Sequence, residues 1–304
     1  MNNYWFVIIN PTSGNNKYRI YIQKILVALE SNQILFHHQF TEYKKHEIEL
    51  VQKAISIGYR KIISVGGDGT LHHIVNGIMS QKIVKPNKIK IAVFPTGTGN
   101  DWVKTYGITN DLPKNIDIIK QEKTILQDIG KMDLEKGTST IYFNNLAGIG
   151  FDGHVVKYIN TYKKLGALSY LIGGIIGFFT YKPIDLKITL SKTVITTNAL
   201  MVLIGLCNYS GGGMQLTKNP NSTDGLFDIS IIKNIHILTL LINILKLYNG
   251  KIVDHKKVTT YTSNKIKVEI LNNKLPSIQA DGELISSSNF EVSIVPKAIQ
   301  FVIC

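Results

Sequence analysis

Residues 64–78, SVGGDGTLHHIVNGI, place Gly66, Gly67, Asp68, Gly69 and Thr70 between an apolar, β-branched run and a stretch of helical periodicity. The five residues read as a strand-to-helix turn. Two further loops of the same texture, NPTSGNN from Asn10 and PTGTGND from Pro95, also follow strand-like runs. Glycines at such turns, here Gly66, Gly67, Gly69, Gly97 and Gly99, are expected to take positive φ and bring backbone N–H groups against an anion at a helix start. That is phosphate chemistry. A carboxylate at the tip of the turn, Asp68, would repel phosphate unless a cation intervened, so it reads as an Mg2+ partner or as a group polarising a transferable hydroxyl. The competing reading is an N-cap of the following helix. Asp101, at the end of the third loop, carries the same two readings.

The elements that must position these loops alternate regularly. Strand-like YWFVII (4–9) leads to a helix from about Tyr18 to Glu30, strand-like ILFHHQF, and a helical pattern from about Tyr43 to Ile57. Then come the strand KIISV, the glycine turn with a helix beginning at Thr70, the strand KIAVF (90–94) and a short helix from about Asp101. Repeated βα units imply a doubly wound parallel sheet, with ligands outside the carboxyl ends of its strands. After Gly130 short β-rich runs dominate, among them TIYFNNLAGIG, IDLKITL, ALMVLIGLCN, LFDISII, KIKVEIL, SIQADGE and FEVSIVP. They read as a mostly antiparallel sandwich. The expected division is an α/β nucleotide-binding domain over 1–130 and a β-sandwich domain over 131–304, with Ala298 to Ile303 open to returning to the first domain.

With 304 residues, 44% hydrophobic and 18% charged, the chain can bury one large core or two domain-sized ones. A net charge of +13 calls for an acidic partner (nucleic acid, anionic lipid headgroups or a phosphorylated ligand) or is simply a lysine-rich solvated surface. Cys207 and Cys304 show neither disulfide-framework nor zinc spacing, and the short apolar run near the N-terminus does not resemble a signal peptide, so a cytoplasmic protein is expected. No GxxxxGK[ST], no HRD or DFG, and no GxGxxG after the first strand occurs, which sets aside P-loop, protein-kinase and dinucleotide-fingerprint readings. The pairs His37/His38 and His72/His73 lack metal-ligand partners at helical or strand spacing and read as surface or cleft residues.

The ordered series NPTSG (10–14), VGGDGTLHHIVNGI (65–78), FPTGTGNDW (94–102), AGIGFDGHV (147–155), NPNSTDGLFDI (219–229) and QADGE (279–283) resembles the diacylglycerol kinase and sphingosine kinase superfamily, more narrowly its soluble bacterial branch. GGDGT alone also occurs in NAD kinases and phosphofructokinases, whereas GTGND followed far later by DGE does not. The resemblance implies an ATP-binding α/β domain and a β-sandwich domain with the active site in the cleft, and transfer of the ATP γ-phosphate to a lipid hydroxyl. By motif position, Asn10, Pro11, Thr12, Ser13, Gly14, Thr41, Gly66, Gly67, Asp68, Gly69, Thr70, Leu71, His72, Thr98 and Asn100 match ATP-contacting positions. Asp68 matches the essential aspartate, Asp101 an aspartate near nucleotide and Mg2+, and Glu283 the proton acceptor. Asn221, Asp224 and Leu226 match the ligands of a structural Mg2+, an aspartate and flanking carbonyls.

The chain also departs from that pattern. His72 and His73 stand where many bacterial relatives have Asn-Glu, so the second replaces an acidic residue, and Lys163 and Lys164 stand where sphingosine kinases carry arginines. Lysine keeps the charge and loses the bidentate fork. Two segments are candidates for contact with lipid or membrane and read equally well as core helices: LGALSYLIGGIIGFFTY (165–181), too short and glycine-rich to span a bilayer, and IHILTLLINILKLYNGK (235–251). The expectation is an ATP- and Mg2+-dependent lipid kinase acting on diacylglycerol at the anionic inner-membrane surface. It binds no nucleic acid, and the relatives also allow a homodimer. The alternatives are another long-chain lipid as acceptor (a sphingoid base or a phosphatidylglycerol-like lipid), with Asp152 near the headgroup, or a catalytically weak regulatory relative. NAD kinase is disfavoured because no ribose-recognition motif is found in the second domain.

Overall fold

The computed structural model describes residues 3–14, 18–97, 99–135, 139–155, 181–235, 239, 242–272, 275–285 and 287–304. The chain divides into two compact units, Met1–Gln127 with Lys297–Cys304, and Asp128–Pro296.

In the first unit β1 (Trp5–Ile9), β2 (Phe36–Phe40), β3 (Lys61–Gly66) and β4 (Lys90–Pro95) alternate with α1 (Tyr18–Ser31), α2 (His46–Ser56) and α3 (Asp68–Ser80). The helices α4 (Asp101–Thr105) and α5 (Leu112–Gln121) follow. The strands are parallel in the order β2-β1-β3-β4, and the returning C-terminal segment adds Gln300 beside Lys90, again parallel. β1 and most of β3 and β4 are buried continuously, as strands covered on both faces must be. One face packs Val7, Ile9, Val65 and Phe94 against Ile22, Ile25 and Leu29 of α1 and Ile116 and Ile119 of α5. Phe6 and Ile8 alternate to the other side, where α2 and α3 pack on each other and on β1 and β3. Because β2 and β3 flank β1 on opposite sides, the winding reverses there, and the crevice between the carboxyl ends of β1 and β3 is the topological switch point.

The second unit is antiparallel. It takes the later part of β5 (Thr124–Leu134), then β6 (Thr140–Phe143), β7 (Leu146–Gly150), β8 (Ile184–Leu190), β9 (Val194–Gly205) and β10 (Phe227–Lys233). After the short helix α6 (Ile244–Tyr248) come β11 (Val258–Ser263), β12 (Lys265–Ile270), β13 (Ile278–Ala280), β14 (Glu283–Ile285) and the first part of β15 (Phe290–Val302). β9 is the hub: its first half pairs with β8, its second with β7 and β10. β8 pairs on to β12 and β12 to β15, while β7 pairs on to β13 and β13 to β14. β8 alternates buried and half-buried residues, as a sheet with one face inward requires. The expected class, an α/β domain with a parallel sheet and a mostly antiparallel sandwich-like domain, is what the chain adopts.

Several local readings need correction. α2 begins at His46, after Lys45 in the left-handed region, and not at Tyr43. α3 begins at Asp68 with Gly67 as its N-cap, two residues before Thr70. TIYFNNLAGIG is two strands, because Asp281 captures the backbone N–H groups of Asn144, Asn145 and Leu146 at their junction. Of the helical reading over 235–251, Ile244–Tyr248 is α-helical, while 236–238, 240 and 241 lie outside the described residues.

Helices α2 and α3 meet at Gly77, where a Cβ would lie 2.3 Å from Val51 Cγ1 and 3.0 Å from the Ile48 carbonyl oxygen. Replacing a mid-helix glycine by alanine ordinarily stabilises a helix by about 1 kcal/mol. Here the backbone contact reverses the sign: Gly77→Ala is expected to lower stability by about 1–3 kcal/mol in urea unfolding, through overpacking.

Candidate active site

At the switch point three loops meet. The Asn10 N–H donates to the Val65 carbonyl and the Thr96 N–H to the Gly66 carbonyl, tying the ends of β1, β3 and β4 together. Gly67 and Gly97 then approach so closely that a Cβ on Gly97 would lie 2.6 Å from the Gly67 Cα. A Cβ on Gly66 would lie 2.3 Å from Thr70 Oγ1. Contrary to the sequence expectation, Gly66, Gly67, Gly69 and Gly97 are not among the residues with positive φ; Gly67 has φ −97°. These glycines serve by lacking a side chain, not by backbone handedness. α3 has no side-chain N-cap, so its first-turn N–H groups face the crevice end of the helix, where the dipole favours an anion.

Asp68 caps a helix, though not its own. Its Oδ2 accepts from the Asp101 N–H at 3.1 Å and its Oδ1 from the Trp102 N–H at 3.4 Å, both at the start of α4. Asp101 is buried, and its carboxylate pairs with Lys104 at 2.9 Å. Asn100 sits in the left-handed region, accepts from the Gly97 N–H and donates to the Gly97 carbonyl, so its amide holds the loop in shape. Thr98 lies outside the described residues. Trp102, fully buried, packs on Phe301 and donates through Nε1 to Gln127.

The first loop folds on Asn10. Its Oδ1 accepts from the N–H and hydroxyl of Thr12, and the Ser13 N–H donates to its carbonyl, while Gly14 has φ 78°. Pro11 is half-buried, and Thr41, buried beside the loop, donates its N–H to Ile9. The Asn10 amide donates to Thr70 Oγ1 at 3.1 Å and to Glu47 Oε1 at 3.3 Å. Glu47, a residue with no motif to announce it, is buried in the first turn of α2, and its Oε2 lies 3.2 Å from His73 Nδ1. A carboxylate only accepts, so this imidazole carries its proton on Nδ1. His73 is thus paired with an acidic side chain from the neighbouring helix. Leu71 and His72 are buried in the first turns of α3, and His72 Nε2 lies 3.3 Å from Asn76 Nδ2 on the same helix.

In the second unit Glu283 opens β14 directly after a tight hairpin whose two turn residues, Asp281 and Gly282, both have positive φ, as an Asp-Gly hairpin turn requires. Asp281 accepts backbone N–H bonds from Asn144, Asn145 and Leu146 at 2.9–3.1 Å and pins the turn to the start of β7. The Gln279 side chain bridges two more groups: its oxygen accepts from the Gly282 N–H at 2.8 Å and its NH2 donates to Asp152 Oδ2 at 3.0 Å. Asp152 Oδ1 is shielded from water and has no hydrogen-bond partner, and burial pushes this carboxyl up to about 6 despite the Gln279 bond. Burial and the Asp152 charge together raise the Tyr181 phenol, whose hydroxyl also lacks a partner. Beside them lies an apolar cavity lined by Phe151, Leu200, Met201, Leu216, Ile232, Leu247 and Ile252.

The loop before β10 gathers carboxylates. Asn221 Oδ1 accepts from Thr223 and Asp224 Oδ1 from the Leu226 N–H. Asp128, buried in β5, holds this loop through its own N–H to Ser222 and its Oδ2 to the Gly225 N–H. Asp228 is raised to about 6, chiefly by burial and then by the Asp224 charge. Among the described residues no group of three or more His, Cys, Asp or Glu side chains is arranged to hold a metal. One carboxylate with loop carbonyls is nevertheless the oxygen donor set that Mg2+ takes. Lys163, Lys164 and all of 165–181 except Tyr181 lie outside the described residues.

A carboxyl whose folded-state pKa lies above its ordinary value stabilises the fold below that ordinary value and loses the contribution as pH rises through about 6, which is the window for Asp152. Asp152→Asn keeps an acceptor for Gln279 and removes the buried charge. It is expected to be more stable than the parent by roughly 2 kcal/mol at pH 8, with the difference vanishing near pH 4 in urea unfolding.

Residues 4–132 match the Diacylglycerol kinase catalytic domain family, and residues 145–303 the YegS C-terminal NAD kinase beta sandwich-like domain. The chain is 31% identical over 287 residues to the "Diacylglycerol kinase" of Staphylococcus aureus (strain bovine RF122 / ET3-1), covering 91% of this chain and 85% of that one. It is 30% identical over 285 residues to the "Diacylglycerol kinase" of Staphylococcus haemolyticus (strain JCSC1435), covering 91% and 81%. A crystal structure described as a diacylglycerol kinase from Bacillus anthracis str. Sterne superposes with a TM-score of 0.73 at 20% identity over 99% of this chain and 97% of that one. A further Bacillus anthracis str. Sterne structure gives 0.80 at 22% over the same shares. With the strand-end loops, the Asp68 anchor and the Asp-Gly-Glu hairpin in place, the chain belongs to the diacylglycerol kinase family of lipid kinases.

Proposed function

We propose that the protein transfers the γ-phosphoryl group of ATP to the hydroxyl of diacylglycerol, giving phosphatidic acid and ADP in an Mg2+-dependent reaction. The observation that carries this reading is the meeting of the Asn10, Gly66–Thr70 and Pro95–Asp101 loops at the switch crevice, with side chains absent where Gly67 faces Gly97. Phosphates there find the first-turn N–H groups of α3, while the N–H groups of Asn10, Thr12 and Ser13 bond to Val65 and to Asn10 itself and hold the first loop in shape. The α3 groups are preorganised donors that need no rearrangement as charge develops on the transferring group. Asp68 and Asp101 are the carboxylates of this crevice that would hold Mg2+ on the phosphates, and Asn221, Asp224 and Leu226 would hold a structural one. Bound Mg2+ supplies positive charge against the phosphate oxygens.

Glu283 accepts the proton of the acceptor hydroxyl as the lipid oxygen bonds to the γ-phosphorus and the bond to the ADP oxygen breaks. Gln279 and Asp281 fix the turn that carries it. An acceptor dissolved in a bilayer makes the protein a peripheral one on the cytoplasmic face. No helix among the described residues is long and apolar enough to cross a membrane.

γ-Labelled ATP and Mg2+ with micelles of diacylglycerol, a sphingoid base or phosphatidylglycerol, followed by chromatography, test the reading directly. Label in phosphatidic acid is expected; label in another lipid replaces the acceptor, and no label with ATP still bound overturns the reading. Asp68→Ala and Glu283→Gln are each expected to lower kcat about 100- to 10,000-fold, as for a lost general base or a lost charge-stabilising group. Glu47→Gln loosens Asn10 and is expected to raise the KM for ATP about ten-fold with a smaller change in kcat, the signature of lost ground-state binding.

A further inference from the structure

We propose that the outward face of α6, with the lysines around it, is the surface by which the protein docks on an anionic lipid bilayer. This rests on a lipid acceptor and adds where the protein meets it. The N–H and side-chain amide of Asn243 both bond to the Thr239 carbonyl, so helical geometry reaches back before Ile244. Ile242, Leu245 and Tyr248, spaced three apart, therefore share one side. They point to solvent: Ile242 is 81% exposed, Leu245 76% and Tyr248 46%. On the opposite side Asn243 is buried and Leu247 lines the apolar cavity, so α6 is a single wall between that cavity and the exterior.

The chemistry around this face selects its occupant. Over residues 242–257 Lys246, Lys251, Lys256 and Lys257 are exposed and stand against one acidic residue, Asp254, in a chain of net charge +13. Exposed aliphatic side chains with exposed lysines close by in the chain match a surface that is apolar just beneath a layer of negative headgroups. A second copy of the chain would bring the same lysines against these, and like charges oppose that pairing. A polynucleotide would satisfy the lysines and leave Ile242 and Leu245 in water.

The test is co-sedimentation of the full-length protein with vesicles of phosphatidylcholine, with and without phosphatidylglycerol, in the absence of ATP and acceptor. The parent is expected to partition onto the phosphatidylglycerol vesicles in a salt-sensitive way. Ile242→Glu with Leu245→Glu is expected to lower the partition coefficient at least about ten-fold, and Lys246→Glu with Lys251→Glu to abolish the preference for phosphatidylglycerol. All these side chains are exposed, so thermal melting of the variants should match the parent. Unchanged vesicle binding by folded variants overturns the proposal, as does a dimer, seen by light scattering, that Ile242→Glu with Leu245→Glu dissociates. Binding is read without turnover, so a failure of the kinase reading leaves this result standing. Conversely, both double variants should retain parental activity on a short-chain, water-soluble diacylglycerol; its loss would place α6 in the acceptor site and overturn docking as its role.

Discussion

The approach of Gly67 to Gly97 governs the nucleotide-side architecture. A Cβ at either position would fall within 3.1 Å of the other residue's Cα, so the ends of β3 and β4 can be neighbours only with glycine on both. That closeness lets Asp68, the first residue of α3, reach the amides of Asp101 and Trp102, thirty-odd residues ahead in the chain. The Asp68 carboxylate thus keeps the third loop folded over the second, and Asn100 locks Gly97 from the other side. The result is a rim of loops whose positions are set by strands buried on both faces.

The carboxylates of the protein divide by what holds them. Asp281 and Asp128 are satisfied by backbone amides and act as fasteners, one for the hairpin before Glu283 and one for the loop at Asp224. Asp152 is different: one oxygen is bonded to Gln279, the other has no partner, and burial raises its pKa. Gln279 therefore links a buried carboxyl to the turn that precedes Glu283. Such links are effective only when their hydrogen bonds are complete, which makes the open Asp152 oxygen and Tyr181 hydroxyl the least settled groups beside the apolar cavity.

α6 has apolar side chains on both sides, Leu247 toward the cavity and Leu245 toward solvent, and so does not fit the pattern of an ordinary one-sided surface helix. Its apolar residues fall on more than one side, which is why periodicity alone could not separate a core helix from a membrane-facing one.

By itself the sequence determined the α/β class and the β-rich second half, because strand alternation, helix periodicity and glycine turns are local properties written every few residues. The order of its motifs also determined the family, since those motifs recur along nearly the whole chain. Tertiary structure decided the rest, through contacts between residues far apart that leave no local signature. Asp68 reads locally as a cap of α3 and in the fold serves α4; the glycines read as positive-φ positions and are required for want of a side chain. Glu47 reads as an ordinary first-turn acid and becomes the buried partner of Asn10 and His73 only when Gly77 lets α2 and α3 touch. Gln279 and Asp152, 127 positions apart, meet only because β7 and β13 pair. Spacing encodes which chemistry is available, and packing decides which group faces which.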